Sequence, residues 1–306
     1  MPPFALLAAG SLLPLIATLP IATAQQSAPA AAQVDIVDIT ADRNERMTVP
    51  VRIGPAGPFR FIVDTGAERT ILARQVATHL GLAPTDTATV VSVAGIEPVD
   101  VVEVDEIALG RRSFHGLSAP LLDARWIGAD GIIGLDGLQG QRVLLDFQHN
   151  RMAIGSTQSL GGNNGYEIVV EARRKQGQLI MTNALVDGVK TDIIIDTGSD
   201  TSIGNLALQR ALANKSPGAT ADLVSVTGQS VKAVLGANHT VTLNGVSMTN
   251  TLLAFTDAPP FQRLKMDSRP AMLLGINQLR PFRRVAIDFA QRKILFDIPD
   301  DLLADR

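Results

Sequence analysis

The chain has 306 residues, a formal net charge of −3 and no cysteine. At roughly 150 residues per domain, this length predicts two domains, each with a core of its own. There is no basic surplus to neutralise phosphates, so nucleic acid is not an expected partner, and the lack of cysteine excludes disulfides, thiolate metal sites and a cysteine nucleophile.

Residues 1–24 have the pattern of a signal peptide. The run from Ala5 to Ala22 is apolar, and Ala22-Thr23-Ala24 has the small-x-small pattern that precedes a cleavage site. The basic n-region that usually begins a signal peptide is missing. An uncleaved membrane anchor is the alternative, although the prolines within the run disfavour a helix that spans the membrane. We expect an exported protein, periplasmic or secreted, with an extended segment at 25–42 and no membrane span in the mature chain.

The chain then repeats one pattern twice. A strand beginning at Met47 is followed by a turn and an apolar strand that ends in Asp64-Thr65-Gly66. The same order begins at Met181, turns at the hairpin dipeptide Asp187-Gly188, and ends in Asp196-Thr197-Gly198. Three further features follow in each half, in the same order. The first is a helix-compatible segment, at 72–80 and 206–212. The second is a glycine-tipped strand pair, at Gly95 and Gly228, and the third is an apolar-apolar-Gly segment that ends at Gly134 and Gly275.

The duplication defines the expected architecture. Short β-branched runs separated by turn residues predict an all-β fold with few short helices. We place two similar barrel-like lobes at 43–157 and 166–306 and relate them by a pseudo-two-fold axis. Between them, 158–165 is rich in Ser, Gly and Asn, which is the composition of a flexible linker.

The two Asp-Thr-Gly triplets are the candidate catalytic elements. A single copy would usually be a turn in which Asp caps the backbone and Gly adopts a positive φ angle. Two copies at equivalent points of a duplication favour a paired site, in which Asp64 and Asp196 lie side by side and share one proton. Such a pair can hold a water, take its proton as it attacks, and donate a proton to a substrate carbonyl. This is the chemistry of a hydrolase.

The residues that follow the two acids have supporting roles. Thr65 and Thr197 can brace the loops through hydroxyl-to-backbone hydrogen bonds, and Gly66 and Gly198 let the backbone bend tightly beside the carboxylates.

The loops differ at their next position, which is Ala67 in the first and Ser199 in the second. A Ser199 hydroxyl that donates to the outer carboxylate oxygen lowers the pKa values of the pair, and Ala67 has no such donor. We therefore expect activity that extends to weakly acidic or near-neutral pH.

These residues resemble retropepsin-like aspartic proteases, particularly bacterial exported members with two fused lobes, over about residues 47–296. The run Asp64-Thr65-Gly66-Ala67 is similar to the retroviral form, and Asp196-Thr197-Gly198-Ser199 to the form common in pepsins. The resemblance implies an aspartic endopeptidase that acts on polypeptides as a monomer with an internal pseudo-dimer, without a cofactor.

The resemblance also assigns roles to four glycines. Gly134 and Gly275 lie in segments that thread behind the catalytic loops and support them in this family. Gly95 and Gly228 match the tips of flaps that close over the substrate.

The sequence departs from both branches of the family. The only tyrosine, Tyr166, lies near the linker, so the tyrosine of the pepsin flap is absent. Leu135 and Ile276 stand where retroviral enzymes have a basic residue after the supporting glycine. The ion pairs that brace the retroviral dimer are therefore not expected here.

Two other functions would use some of the same features. A glycosidase also needs two carboxylates, but it has no reason to place them in duplicated Asp-Thr-Gly loops. A catalytically inactive, protease-like protein would keep the cleft and bind peptides without cutting them, yet it would have no need for both acids. The four histidines are scattered without metal-ligand spacing, so no metal is expected.

Overall fold

The computed structural model describes residues 34–42, 46–212 and 218–299. The predicted signal peptide, 1–24, lies outside these residues, as does the first part of the predicted extended segment, 25–42. Within the described residues, no helix is both long and apolar enough to span a bilayer.

Strands dominate both halves, and the helices between them are short. The elements of the first half are β1 (Asp35–Asp38), β2 (Thr40–Ala41), β3 (Met47–Ile53), β4 (Ala56–Val63), β5 (Ile71–Ala73), α1 (Arg74–His79), β6 (Asp86–Ser92), β7 (Gly95–Leu109), β8 (Arg112–Leu122), α2 (Ala124–Ile127), β9 (Gly131–Ile133), α3 (Leu135–Leu138), β10 (Arg142–Asp146) and β11 (Arg151–Gly155). Those of the second half are β12 (Ile168–Lys175), β13 (Gln178–Val186), β14 (Val189–Asp196), β15 (Ser202–Gly204), α4 (Leu206–Ala211), β16 (Thr220–Val224), β17 (Ser230–Leu243), β18 (Val246–Phe255), α5 (Pro259–Arg263), β19 (Ala271–Gly275), a 3-10 turn (Ile276–Gln278), β20 (Arg284–Asp288) and β21 (Lys293–Asp297).

The two halves pair their strands in the same order. The first half runs β3-β4-β9-β5-β8-β7-β6, with an additional pairing of β3 to β7. The second half runs β13-β14-β19-β15-β18-β17-β16, with an additional pairing of β13 to β17. Each strand of the first order has a counterpart in the second, so the predicted all-β fold with two similar lobes is confirmed. The barrel-like form of each lobe stays a prediction.

A further run of six strands joins the lobes. Its order is β1-β11-β10-β20-β21-β12, so each half contributes three strands. The central pair, β10 and β20, is antiparallel, with Leu144 opposite Ala286. Val143 and Ile287, which are also opposite each other, are fully buried. The two lobes are therefore joined by a hydrogen-bonded sheet, and their apolar cores are continuous through it.

Local sequence explains why the strands lie where they do. In β3, Val51 and Ile53 are buried while Arg52 between them is exposed, as alternation predicts for a strand with one solvent face. The last three residues of β14, before Asp196, are all buried isoleucines, because this strand pairs with β13 on one side and with parallel β19 on the other. The turn before β14 uses Asp187-Gly188, with φ angles of 45° and 83°, as the dipeptide predicts.

An ion pair between the lobes also contacts the segment whose composition predicts a flexible linker. Arg142 of β10 and Asp288 of β20 are fully buried, and their side chains lie 2.9 Å apart. The same guanidinium donates to the carbonyl of Gly162 and, at 2.8 Å, to Asn163 Oδ1. Residues 158–165 form turns held by these bonds. Arg142 thus bonds to one main-chain carbonyl and one side chain of the segment, and the predicted flexibility stays a prediction.

Candidate active site

Two parallel strand pairs bring Asp64 and Asp196 together. Asp64 directly follows β4, and its N–H donates to the Ile133 carbonyl of β9 at 3.0 Å. Asp196 ends β14 and lies opposite Gly275 of β19 in the parallel register. Both aspartates are half-buried, and their carboxyl groups lie close together, since a Cβ atom on Gly66 would be 3.0 Å from Asp196 Oδ1 and 3.1 Å from Asp64 Oδ1. The lobes therefore assemble one shared carboxyl pair.

Thr65 and Thr197 connect the two loops that carry the acids. Thr65 Oγ1 donates to the Ile195 carbonyl at 2.8 Å, and Thr197 Oγ1 donates to the Val63 carbonyl at 2.7 Å. Each hydroxyl also accepts the main-chain N–H of the opposite threonine, at 3.0 Å and 3.4 Å. Because a hydroxyl both donates and accepts, two buried side chains satisfy four backbone groups. This is the bracing that the sequence predicts.

Gly66 and Gly198 provide space for the carboxyl groups. A Cβ atom on Gly198 would lie 2.3 Å from Asp64 Cγ, and one on Gly66 would lie 3.0 Å from Asp196 Cγ. Neither glycine has a positive φ angle. The backbone bends at 65–66 and turns at 197–198 beside the carboxyl groups, as predicted, and the close approach of the opposite carboxyl group requires glycine at both positions.

Burial raises the pKa of both carboxyl groups above the usual aspartate value of 3.8. At Asp64 this rise is opposed by two backbone N–H groups that bond to Oδ1, from Gly66 at 2.7 Å and from Ala67 at 3.1 Å. At Asp196 the negative charge of Asp64 adds to burial, so its pKa lies well above 3.8. When the pair holds one proton, that proton is therefore favoured on Asp196.

Gly134, directly after β9, and Gly275, the last residue of β19, contact the loops that carry the two acids. The Gly134 N–H donates to Thr70 Oγ1 at 3.2 Å, and the Gly275 N–H donates to Ser202 Oγ at 2.9 Å. Cβ atoms on these glycines would lie 2.4 Å and 2.8 Å from the main chain just before the two hydroxyl residues. A larger residue at either position would push the loop away from the supporting strand.

The residues after these glycines add a second backbone bond in each lobe. The Leu135 N–H donates to the Ala67 carbonyl at 2.9 Å, and the Ile276 N–H donates to the Ser199 carbonyl at 2.8 Å. Both apolar side chains are fully buried. Positions that are basic in retroviral enzymes are therefore core positions here.

The Ser199 hydroxyl donates to the Thr201 carbonyl at 2.8 Å, within its own loop. The prediction that it donates to the Asp196 carboxylate is therefore wrong. In a tight turn, nearby main-chain carbonyls compete for the single proton of a serine hydroxyl. The pH argument built on Ala67 and Ser199 loses its basis.

The two glycine-tipped hairpins, β6–β7 and β16–β17, meet at their tips, and we call them the flap hairpins. A Cβ atom on Gly95 would lie 1.7 Å from Gln229 Oε1. Gln229 Nε2 donates to Glu97 Oε2 at 3.1 Å. Gly95, Glu97 and Gln229 therefore form a contact between the two lobes, which we call the flap junction.

Each flap hairpin also rests on the opposite lobe. Gly228 has a φ angle of 84°, and a Cβ atom there would lie 2.5 Å from the indole Nε1 of Trp126 in α2. Val93, at the tip of the first hairpin, packs against a buried cluster of the second lobe that includes Phe261. Trp126 is 42% exposed and is the only tryptophan in the chain, so its fluorescence reports on the second hairpin.

Several residues at these contacts were not predicted from the sequence. Gln178 Nε2 donates across the lobes to the Gly66 carbonyl at 2.7 Å. Arg263 of α5 makes two bonds to Glu68, at 2.9 Å and 2.6 Å. None of these side chains lies in a repeated motif, so only the three-dimensional pairing of the lobes identifies them.

In the part of the chain that the structure describes, no cluster of three His, Asp or Glu side chains is arranged to hold a metal ion.

Two similar lobes that share one carboxyl pair define a protein of the acid-protease class. A family model described as aspartyl protease matches the chain twice, at residues 49–136 and 182–278. The chain therefore belongs to the aspartyl protease family, with one repeat in each lobe, and the resemblance to its retropepsin-like members is confirmed. A search of curated proteins found no match.

Proposed function

We propose that this chain is an exported aspartic endopeptidase that hydrolyses peptide bonds with a water activated by Asp64 and Asp196. The observation that carries the proposal is the pair of half-buried carboxyl groups, one from each lobe, that lie close together and whose pKa values are raised by burial. Membership of the aspartyl protease family supports a peptidase activity.

The reaction needs the pair in its singly protonated form. The ionised carboxylate takes a proton from a water held between the acids, and the water oxygen forms a bond to the carbonyl carbon of the substrate. The protonated partner gives its proton to the carbonyl oxygen, so a neutral tetrahedral intermediate forms. In its collapse, the acid that took the proton of the water gives it to the peptide nitrogen, the C–N bond breaks, and the other carboxylate takes a proton from a hydroxyl of the intermediate, so that a carboxylic acid and an amine are released. The pair returns to the singly protonated form.

The flap hairpins suggest how a polypeptide is held. An extended peptide between the lobes can add strand-like hydrogen bonds to hairpin backbone groups, while apolar pockets select side chains. The bond between Gln229 and Glu97 closes the flap junction, so we expect it to separate when a substrate enters. Since one chain supplies both acids, we propose that a monomer is active.

The proposal is tested by digestion of unfolded casein with the mature protein. Asp64→Asn and Asp196→Asn are nearly isosteric, and each should abolish cleavage while the circular dichroism spectrum stays unchanged. Asp38→Asn is the matched control, because this aspartate lies in β1 with a side chain that is 84% exposed. Cleavage near the wild-type rate in either variant of the pair would contradict the proposal. Binding of casein without cleavage by the wild type would favour the inactive peptide-binding alternative.

The export proposal rests on the sequence of residues 1–24. It predicts that the mature protein begins near Gln25. Mass spectrometry of the exported fraction should find that terminus, and an intact Met1 there would contradict cleavage.

A further inference from the structure

Gln178 lies at the start of β13 in the second lobe, and its side chain reaches the loop of Asp64 in the first. The residue is only 7% exposed. Its Nε2 donates to the Gly66 carbonyl at 2.7 Å, while its Oε1 is buried without a hydrogen-bond partner among the described residues. Only the NH2 end of an amide can donate to a carbonyl, so this bond determines which way the side chain is oriented.

The Gly66 carbonyl belongs to the same peptide unit as the Ala67 N–H. That N–H donates to Asp64 Oδ1 at 3.1 Å. Hydrogen bonds in series through one amide polarise each other, so donation to its oxygen strengthens donation from its N–H. A chain of two hydrogen bonds therefore runs from Gln178, through the 66–67 peptide unit, to the carboxyl group of Asp64.

The loop of the second lobe has a different pattern of donors. Asp196 Oδ1 accepts the Gly198 N–H at 3.1 Å. The Ser199 N–H, which is equivalent to that of Ala67, has a main-chain bond to the Asp196 carbonyl at 3.4 Å, and it also lowers the pKa of the Asp196 carboxyl group. In the first loop the equivalent N–H lies 3.1 Å from the carboxylate oxygen, and its peptide unit is reinforced by Gln178.

We propose that Gln178 is a positioning residue that, through the 66–67 peptide unit, makes Asp64 the charged member of the pair and leaves the shared proton on Asp196. In the reaction proposed above, Asp64 then takes the proton of the water and Asp196 protonates the substrate carbonyl. The inference rests on that proposed function for its role in catalysis. Its effect on the proton itself does not require turnover.

The other charges that act on Asp64 are Asp196 and Arg46. The charge of Arg46 favours ionisation of Asp64, but it makes the smallest of the contributions. Arg46 is itself paired with Asp42 at 2.6 Å. Gln178 is neutral, so its replacement by an apolar residue of similar length changes the hydrogen bond and leaves the charges of the site unchanged.

The test is a carbon-13 NMR titration of aspartate carboxyl groups in the full mature chain, with Gln178→Met as the variant. Loss of the donor should raise the lower pKa of the pair by about half a pH unit. The upper pKa should stay in place, because Asp64 is already charged when the second proton leaves. Gln176→Met, an exposed position in the preceding turn, is the matched control and should change neither value. In the pH–rate profile, only the acidic limb should move, toward higher pH.

An unchanged lower pKa in Gln178→Met, or an equal shift in both values, would overturn the inference. If Gln178→Met does not fold by circular dichroism, Gln178→Asn replaces it, since its amide is one methylene too short to reach the Gly66 carbonyl. The same rise in the lower pKa is then expected. A protein that titrates as predicted but does not cleave casein would leave this inference standing and contradict the proposed function. A wild-type protein that cleaves casein, with a lower pKa that stays unchanged in Gln178→Met, would support the proposed function and contradict this inference.

Discussion

The Thr65 hydroxyl and the Thr197 main-chain N–H are 3.4 Å apart, and the reciprocal contact is 3.0 Å, so neither loop is held by its own lobe alone. The hydroxyls also donate to main-chain carbonyls of the opposite lobe. The separation of the two carboxyl groups is therefore a property of the lobe interface, and a change at either threonine should affect both acids.

Removal of one of these hydroxyls should cost both stability and activity. Thr65→Val or Thr197→Val keeps the shape but leaves a buried carbonyl and a buried N–H of the other lobe without partners. We expect a loss of about 1 to 3 kcal/mol in the free energy of unfolding, measured by urea denaturation. A displaced carboxyl pair should lower kcat by at least about tenfold. Thr249→Val, on the exposed face of β18, is the control and should change neither quantity.

The raised pKa values predict how stability depends on pH. Well below pH 3.8, the usual aspartate value, both acids are protonated in the folded and unfolded chain. As the pH rises, the unfolded chain ionises first, so the folded state binds more protons and becomes less stable relative to the unfolded state. Asp196→Asn removes the group with the larger shift. Its stability should therefore increase relative to the wild type as the pH rises above 3.8.

Thermal unfolding over this pH range measures that difference. Asp38→Asn is the control, because it removes an exposed carboxylate that does not belong to the pair. A constant difference between the wild type and Asp196→Asn at all pH values would show that the carboxyl pair is not shifted.

The contact between Gly228 and Trp126 predicts a local effect that has a closely matched control. Gly228→Ala places a Cβ atom 2.5 Å from the indole nitrogen, whereas Gly245→Ala meets no atom within 4 Å. Both glycines have positive φ angles, 84° and 88°, so both substitutions should cost about 1 kcal/mol of stability. Only Gly228→Ala should change the fluorescence emission of Trp126 and raise KM. Equal emission spectra for the two variants would contradict the contact.

Two arginine–carboxylate pairs join the lobes, and they should differ greatly in their effect on stability. Arg142 and Asp288 are fully buried, whereas the Arg263 and Glu68 side chains are 46% and 35% exposed. Arg142→Leu leaves a buried carboxylate without its main partner and should cost about 3 to 5 kcal/mol in the free energy of unfolding. Arg263→Leu should cost under about 1 kcal/mol. Urea denaturation of both variants measures the two losses in the free energy of unfolding. Similar losses would show that burial does not determine how much each pair stabilises the fold.

The duplication made the carboxyl pair predictable from the sequence. Asp64 and Asp196 follow equivalent apolar strands, and the pseudo-symmetry that the repeat implies brings those strand ends together. The bracing by Thr65 and Thr197 follows from the same symmetry. These features depend on a pattern that the chain contains twice, so one sequence is sufficient to find them.

The remaining features depend on contacts that occur once. Gln178 bonds to a carbonyl 112 positions earlier, and no local pattern indicates this pairing. The orientation of the Ser199 hydroxyl depends on which of several nearby acceptors is best aligned, which the sequence does not specify. The bonds from Arg142 to Gly162 and Asn163 in the linker at 158–165 are likewise not indicated by any local pattern.

The central claim is that Asp64 and Asp196 act as one unit in peptide hydrolysis. The most direct test compares kcat/KM for Asp64→Asn, Asp196→Asn and the double variant on one peptide substrate. Each single change should lower kcat/KM by at least about a thousandfold, and the double variant should be no slower than the single ones, because either loss already disables the pair. Losses that multiply in the double variant, or activity near the wild-type level in either single variant, would contradict a shared catalytic pair.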